Sequence, residues 1–239
     1  MAEALSFQQR LSGVQNRIAA ACLRSGRSVD DVTLIAVSKT FPFASIADAY
    51  ACGQTHFGEN YMQDCLAKMD EAQAVQIPLK WHFIGHLQRN KAKFYNSQFF
   101  LVHTLDSLRL AQQLAIVALK SGFTARVLVQ VNIGMESSKS GVVPTELFAF
   151  LEKLRYIEGL SVSGLMTIPP LTSDPEESRP FYRELCNKFI QAKKTLFAGD
   201  NSFKHLSMGM SNDFEIAIEE GATYVRVGSL LFGERGKRL

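Results

Sequence analysis

The feature that most narrows the fold of this chain is a set of eight short apolar segments. Each runs into a polar or glycine-bearing corner, and most are separated by segments of helical periodicity. The first, Leu34-Ile35-Ala36-Val37, breaks into Ser38-Lys39-Thr40. Next come His56 to Gly58, ending at Glu59-Asn60; Lys80 to Ile84, ending at Gly85-His86; and Phe99 to His103, ending at Thr104-Leu105-Asp106. Ala125 to Val131 ends in Asn132, and Leu160 to Met166 is broken by Pro169-Pro170. Lys204 to Ser207 leads into Met208-Gly209-Met210, and Tyr224 to Val227 into Gly228-Ser229. Apolar runs of this kind read as strands buried on both faces, as in parallel sheets.

Phe7, Leu11, Val14, Ile18 and Ala21 recur at helical spacing ahead of the first strand. Further helices are expected over Ser45–Cys52 (capped by Ser45), Tyr61–Ala74, Ser107–Ser121, Thr145–Ile157, Glu176–Phe197 and Phe214–Glu220. Strands alternating with helices predict an α/β fold, a (β/α)8 TIM barrel with one extra N-terminal helix. The competing open, doubly wound sheet usually carries a glycine-rich dinucleotide turn after its first strand, and none stands here. With no break in composition and no internal repeat, a single domain is expected over 1–239. It comprises the helix and lead-in to residue 32, the barrel over 33–235 and a tail at 236–239.

The charge and apolar content exclude several classes. A net charge of +3 with scattered basic residues gives no reason to expect nucleic acid. The locally basic end, Arg235-Gly236-Lys237-Arg238, reads as a solvated terminus. No apolar run approaches the roughly 18 residues of a membrane span, and Met1-Ala2-Glu3-Ala4 lacks the order of a signal peptide. Cys22, Cys52, Cys65 and Cys186 show neither CxxC spacing nor a histidine cluster, so free thiols in a reducing cytoplasm are expected.

A barrel brings the carboxyl ends of its strands to one mouth, gathering Lys39, Asn60, His86, Asp106, Asn132, Met166, Ser207, Gly228 and Ser229. Lys39 there is either a strand's exit into water or an amine able to form a Schiff base with an aldehyde. The loops after strands seven and eight, with Ser207 and Gly228-Ser229, stand where barrels often hold a phosphate; ordinary capped turns are the alternative. Counting by two, Tyr224, Arg226 and Gly228 share one face. Arg226 inside a strand needs a ligand acceptor or a buried carboxylate such as Glu59 or Asp213. An amine, a phosphate grip and an arginine together suggest pyridoxal 5′-phosphate, with the arginine keeping the pyridine nitrogen unprotonated by charge repulsion.

Val37-Ser38-Lys39, Phe57-Gly58-Glu59-Asn60-Tyr61, the run from Trp81 through Gly85 and Gln88 to Lys91, Ser138-Lys139-Ser140-Gly141, Gly164-Leu165-Met166, the run from Leu206 to Asp213 and the run from Arg226 to Gly233 together resemble the pyridoxal phosphate homeostasis protein family. The likeness runs from about Leu34 to Arg235. It implies a barrel of the alanine racemase N-terminal type holding pyridoxal 5′-phosphate as a Schiff base on Lys39. It places Ser207, Gly228 and Ser229 at the phosphate, Arg226 at the ring nitrogen and Asn60 near the ring hydroxyl. It further implies a carrier that buffers the cofactor or delivers it to apo enzymes by transient contact, with little or no turnover; a monomer is expected. Racemases of this fold draw a second acid/base from a C-terminal β-domain and a partner subunit, and this sequence ends soon after Phe232-Gly233, so weak catalysis is expected. The alternative is a pyridoxal phosphate-dependent amino-acid racemase using Tyr61, His86 or Lys139 as the second base. Lys139, on a polar mouth loop, is also expected to accept the cofactor transiently during handover, with Lys91 and Lys93 as weaker candidates.

Overall fold

The structure is a computed structural model and describes residues 5–233. The basic end Arg235–Arg238, the tail at 236–239 and the first residues Met1–Ala4 lie outside the described residues. The strands are β1 (Thr33–Val37), β2 (His56–Glu59), β3 (Lys80–Phe83), β4 (Phe99–Leu105), β5 (Ala125–Gln130), β6 (Leu160–Met166), β7 (His205–Ser207) and β8 (Tyr224–Val227). All pair in parallel in chain order, and β8 returns to β1 through Thr33↔Tyr224 to Ala36↔Val227, closing the barrel expected from the sequence.

The helices are α1 (Phe7–Arg24), α2 (Phe43–Ala51), α3 (Met62–Ala74), α4 (Leu108–Lys120), α5 (Leu147–Leu154), α6 (Arg179–Thr195), α7 (Phe214–Glu219) and α8 (Ser229–Phe232). α1 opens with a reciprocal cap in which Ser6 Oγ accepts from the Gln9 N–H and Gln9 Oε1 accepts from the Ser6 N–H. It buries Leu11, Val14, Ile18, Ala21 and Cys22 and packs against α7 and α8, covering the flank where β8 meets β1. Ion pairs Arg17–Glu215 and Arg24–Glu219, both 2.7 Å, run along that contact.

Some helix ends differ from the sequence reading. α2 starts at Phe43 with Pro42 at the N-cap rather than Ser45, because the fixed proline φ of −70° already suits a helix entry. The expected helix from Glu176 is a 3-10 turn over Pro175–Ser178 followed by α6. Pro180 lacks an N–H and is tolerated only in the first helical turn, so it marks where the α-helix begins. α5 is shorter than Thr145–Ile157 at both ends, and Arg89–Phe94 forms a 3-10 turn between β3 and β4.

The main core lies between barrel and helices, and a smaller cluster of Ile35, Leu101, Leu128, Met166 and Tyr224 fills the barrel interior. Branched apolar residues usually dominate such interiors. Here His56, His82, His103, Ser207 and Arg226 join them, linked side chain to side chain. All four cysteines are free, Cys22 and Cys65 buried. Among the described residues no helix is long and apolar enough to cross a membrane.

Candidate functional site

β1 delivers Ser38, buried, then Lys39, half-buried, to the barrel mouth. The Phe41 N–H donates to the Ser38 carbonyl at 3.1 Å, closing a turn around Lys39 and Thr40. Thr40 takes φ 72°, a left-handed conformation that is costly for a β-branched residue and therefore held by its surroundings. Neighbouring β2 ends in Glu59 and Asn60. A Cβ on Gly85 would overlap the Asn60 carbonyl, so only glycine lets the loop after β3 pass this close.

Behind this edge sits a buried ionic cluster. Lys68 Nζ from α3 donates to Glu59 Oε1 at 2.7 Å and to the Ser38 carbonyl at 3.0 Å. The Ser38 hydroxyl donates to the same Glu59 oxygen at 2.6 Å. Burial pushes the Glu59 carboxyl above its ordinary range, while Lys68 and Ser38 draw it back down. The cluster ties the residues just before Lys39 and Asn60 to one another and to α3. Glu59 is therefore Lys68's partner and forms no pair with Arg226.

Arg226 projects from β8 into the interior and is buried. Nη1 donates to Ser207 Oγ at 2.6 Å and Nη2 to the Thr167 carbonyl at 2.9 Å. Asp213, the other carboxylate candidate, accepts instead from the Tyr182 hydroxyl at 2.7 Å and from the Met210 N–H at 2.8 Å. Burial lowers the affinity of the Arg226 guanidinium for its proton, opposed by Tyr182 and Asp213. Guanidinium is nonetheless a cation at any ordinary pH. It is thus a buried charge whose hydrogen bonds to Ser207 and Thr167 both go to neutral acceptors.

After β7 the chain turns through Gly209, whose φ is 89° and whose Cβ, if present, would press on Ala217 and Phe214. Met210, Ser211 and Asn212 follow. The Gly228 N–H donates to Ser211 Oγ at 3.4 Å. α8 begins directly after Gly228, whose carbonyl accepts from the Leu231 and Phe232 N–H groups at 3.0 Å, so only the Ser229 and Leu230 N–H groups have no intrahelical acceptor.

These elements surround a cavity of about 820 Å³, within the size range of cofactor pockets. Lys39, Asn60, Arg226, Gly228 and Ser229 all line it, together with Ser211 and Met210. Ser207 does not. Its hydroxyl lies buried beneath the floor between Arg226 and His103. Lys139 also borders the cavity, ion-paired with Glu136 and donating to the Pro169 carbonyl at 2.9 Å. His86, Asp106, Asn132 and Met166 are not in the lining. Asn132 instead organises its own loop, donating to the Glu136 and Lys139 carbonyls at 2.8 and 3.1 Å. Asn60 Oδ1 is buried at the cavity edge and has no hydrogen-bond partner among the described residues.

Thr167, Lys68 and the histidines of the interior are not singled out by the sequence, and Ser211 enters there only as part of the phosphate-type loop after the seventh strand. Ser211 lies within a quoted motif, and the strand-by-strand period of two applied to His82 and His103 would have placed them inward. The meeting of their side chains depends on register across β2, β3 and β4, which one sequence does not display. Among the described residues no group of histidine, cysteine or carboxylate side chains could hold a metal ion.

Fold and site define a barrel of one class: residues 15–236 match the family described as alanine racemase, N-terminal domain. A "Pyridoxal phosphate homeostasis protein" of Aquifex aeolicus is 43% identical over 227 residues, covering 95% of this chain and 97% of the relative. One of Haemophilus influenzae is 37% identical over 231 residues, covering 97% of each. PipY of Synechococcus elongatus, solved with pyridoxal phosphate bound, superposes with a TM-score of 0.80 at 35% identity, covering 95% of this chain and all of that one. The chain belongs to the pyridoxal phosphate homeostasis protein family.

Proposed function

We propose that this chain binds pyridoxal 5′-phosphate in the mouth cavity, anchors it covalently on Lys39, and buffers or delivers it rather than turning over a substrate. The observation that carries the reading is the convergence of an amine, a buried cation and a phosphate-sized set of small polar groups on one cavity. The orphaned Asn60 Oδ1 is a second sign of fit, since a buried acceptor without a partner calls for a donor from a ligand.

When bound, the cofactor supplies an aldehyde for a lysine and a pyridine ring able to accept electrons. The chain's own residues divide the remaining work. Lys39 provides the attacking amine from a turn braced by the Ser38–Glu59–Lys68 cluster. Arg226 presents a fixed positive charge where a ring nitrogen would lie, opposing a second positive charge there and leaving the ring a weak electron sink. Gly228, Ser229 and Ser211 supply N–H and hydroxyl donors to a phosphate. Ser207, hidden from the cavity, is assigned to holding Arg226 rather than to the phosphate. Asn60 would hold the ring hydroxyl, and Lys139 at the rim would serve as a site of transient transfer to apo enzymes.

The test is titration of the purified chain with pyridoxal 5′-phosphate, followed by visible absorbance. The parent should acquire a long-wavelength band that Lys39→Ala lacks. A parent that stays colourless, or an alanine variant with an unaltered band, contradicts the reading. Steady racemisation of an amino-acid panel by the loaded protein would favour the racemase alternative.

A further inference from the structure

The barrel interior contains an unbroken string of side chains whose far end is nowhere near the cavity. His56 Nδ1 meets His82 Nε2 at 2.8 Å; His82 Nδ1 meets His103 Nε2 at 2.8 Å; His103 Nδ1 meets Ser207 Oγ at 2.8 Å. Ser207 Oγ then accepts from Arg226 Nη1 at 2.6 Å. Tyr224 packs its ring against the string, 5.4 Å from His82 and 5.7 Å from His103 between centroids. His82, His103 and Ser207 have essentially no solvent exposure.

Hydrogen-bond accounting gives this string a direction. Guanidinium only donates, so Ser207 Oγ must accept from Arg226. The Ser207 hydroxyl proton then has one acceptor among its contacts in the described residues, His103 Nδ1. A neutral imidazole that accepts at Nδ1 carries its proton on Nε2. His103 therefore donates to His82 Nδ1, and His82 in turn donates through Nε2 to His56 Nδ1. Reversing the string leaves the Ser207 proton buried and unpaired, which is costly. Burial, together with charges on Arg226 at one end and on Lys80 and Arg126 at the other, keeps all three rings neutral.

We infer that His103, with His82 and His56 behind it, is a positioning residue for Arg226: the string fixes the Ser207 hydroxyl as an acceptor and so holds the guanidinium at the cavity floor. The string ends on a group that does not release its proton, so it is an anchor and not a path for proton transfer. It supplies what a carboxylate would otherwise supply, an oriented acceptor, without adding the negative charge that would cancel Arg226 at the cavity.

The inference rests on the cofactor reading only for its consequence, and its first test is independent of any ligand. In cofactor-free protein labelled with 15N at histidine, nitrogen spectra at neutral pH should show His56, His82 and His103 as neutral Nε2–H tautomers. A proton on Nδ1 of His103 or His82, or an imidazolium at either, overturns the inference. The second test uses side chains that keep different halves of the imidazole. His103→Asn retains an acceptor at the Nδ1 position and should hold pyridoxal 5′-phosphate nearly as tightly as the parent, with the same absorbance maximum. His103→Gln reaches only toward His82, and His103→Leu toward neither; both should bind about tenfold more weakly, with a displaced maximum. Equal affinity and spectra across the three variants would show the histidine to be packing alone. If the parent itself fails to bind, the cofactor reading fails while the tautomer result still stands.

Discussion

Lys68 shows how much of the site is held by groups that never touch it. Its ammonium is nearly buried and meets Glu59 and the Ser38 carbonyl behind the β1–β2 edge. Lys68→Met should cost about 3–5 kcal/mol in denaturant unfolding, because it leaves the Glu59 carboxyl buried and uncompensated. Removing the charge as well, in Lys68→Met/Glu59→Leu, should recover most of the loss; a single variant as stable as the parent would contradict the pairing. Legibility at this scale was uneven. Lys39 could be found because an apolar run announced the strand and the lysine marked its end. Ser207 was assigned to the phosphate because its loop was recognised, but a side chain at a strand's last position points in or up by less than one residue of register. Arg226 could be read as facing inward by its period of two, while its partners, Ser207 and the Thr167 carbonyl, sit on other strands.

At the scale of elements, strands were easier to read than helices. A parallel strand buried on both faces must be a continuous apolar run, so its signal is local. Helix ends here are set by Pro42, Pro180 and the packing of adjoining turns, and propensity alone says little about them. α1 offers the clearest energetic test. Ile18 is buried against the barrel side of that helix, and Ile18→Ala should destabilise the chain by about 2–4 kcal/mol in chemical denaturation. Loss of less than about 0.5 kcal/mol would mean that α1 is a peripheral appendage rather than a part of the barrel's cover.

For the whole molecule, the histidines of the polar interior make stability depend on pH. Burial lowers His56 and His205 to about 4, and His82 and His103 well below their ordinary value. These rings are neutral when folded but take up protons near pH 6.5 when unfolded. The unfolded state therefore binds more protons below that pH. The stabilisation is complete above about 6.5 and is lost as pH falls toward 4, by about 1.4 kcal/mol per pH unit for each such histidine. The lowered carboxyls of Glu176, Glu219 and Glu220 act in the same sense only below their ordinary 4.5. Urea midpoints should thus hold steady from pH 8 to 7 and fall steeply by pH 5; a flat profile down to pH 5 would contradict neutral histidines in the barrel.

Covalent attachment of the cofactor would fall on one residue, Lys39, of a closed barrel whose mouth, floor and braces are otherwise preassembled. Its most direct measurement is borohydride reduction of protein equilibrated with pyridoxal 5′-phosphate, followed by proteolysis and mass spectrometry. A single dominant pyridoxyl adduct on the peptide containing Lys39 is the expected result. An adduct absent from Lys39, or spread evenly over surface lysines such as Lys91 and Lys93, would contradict the account.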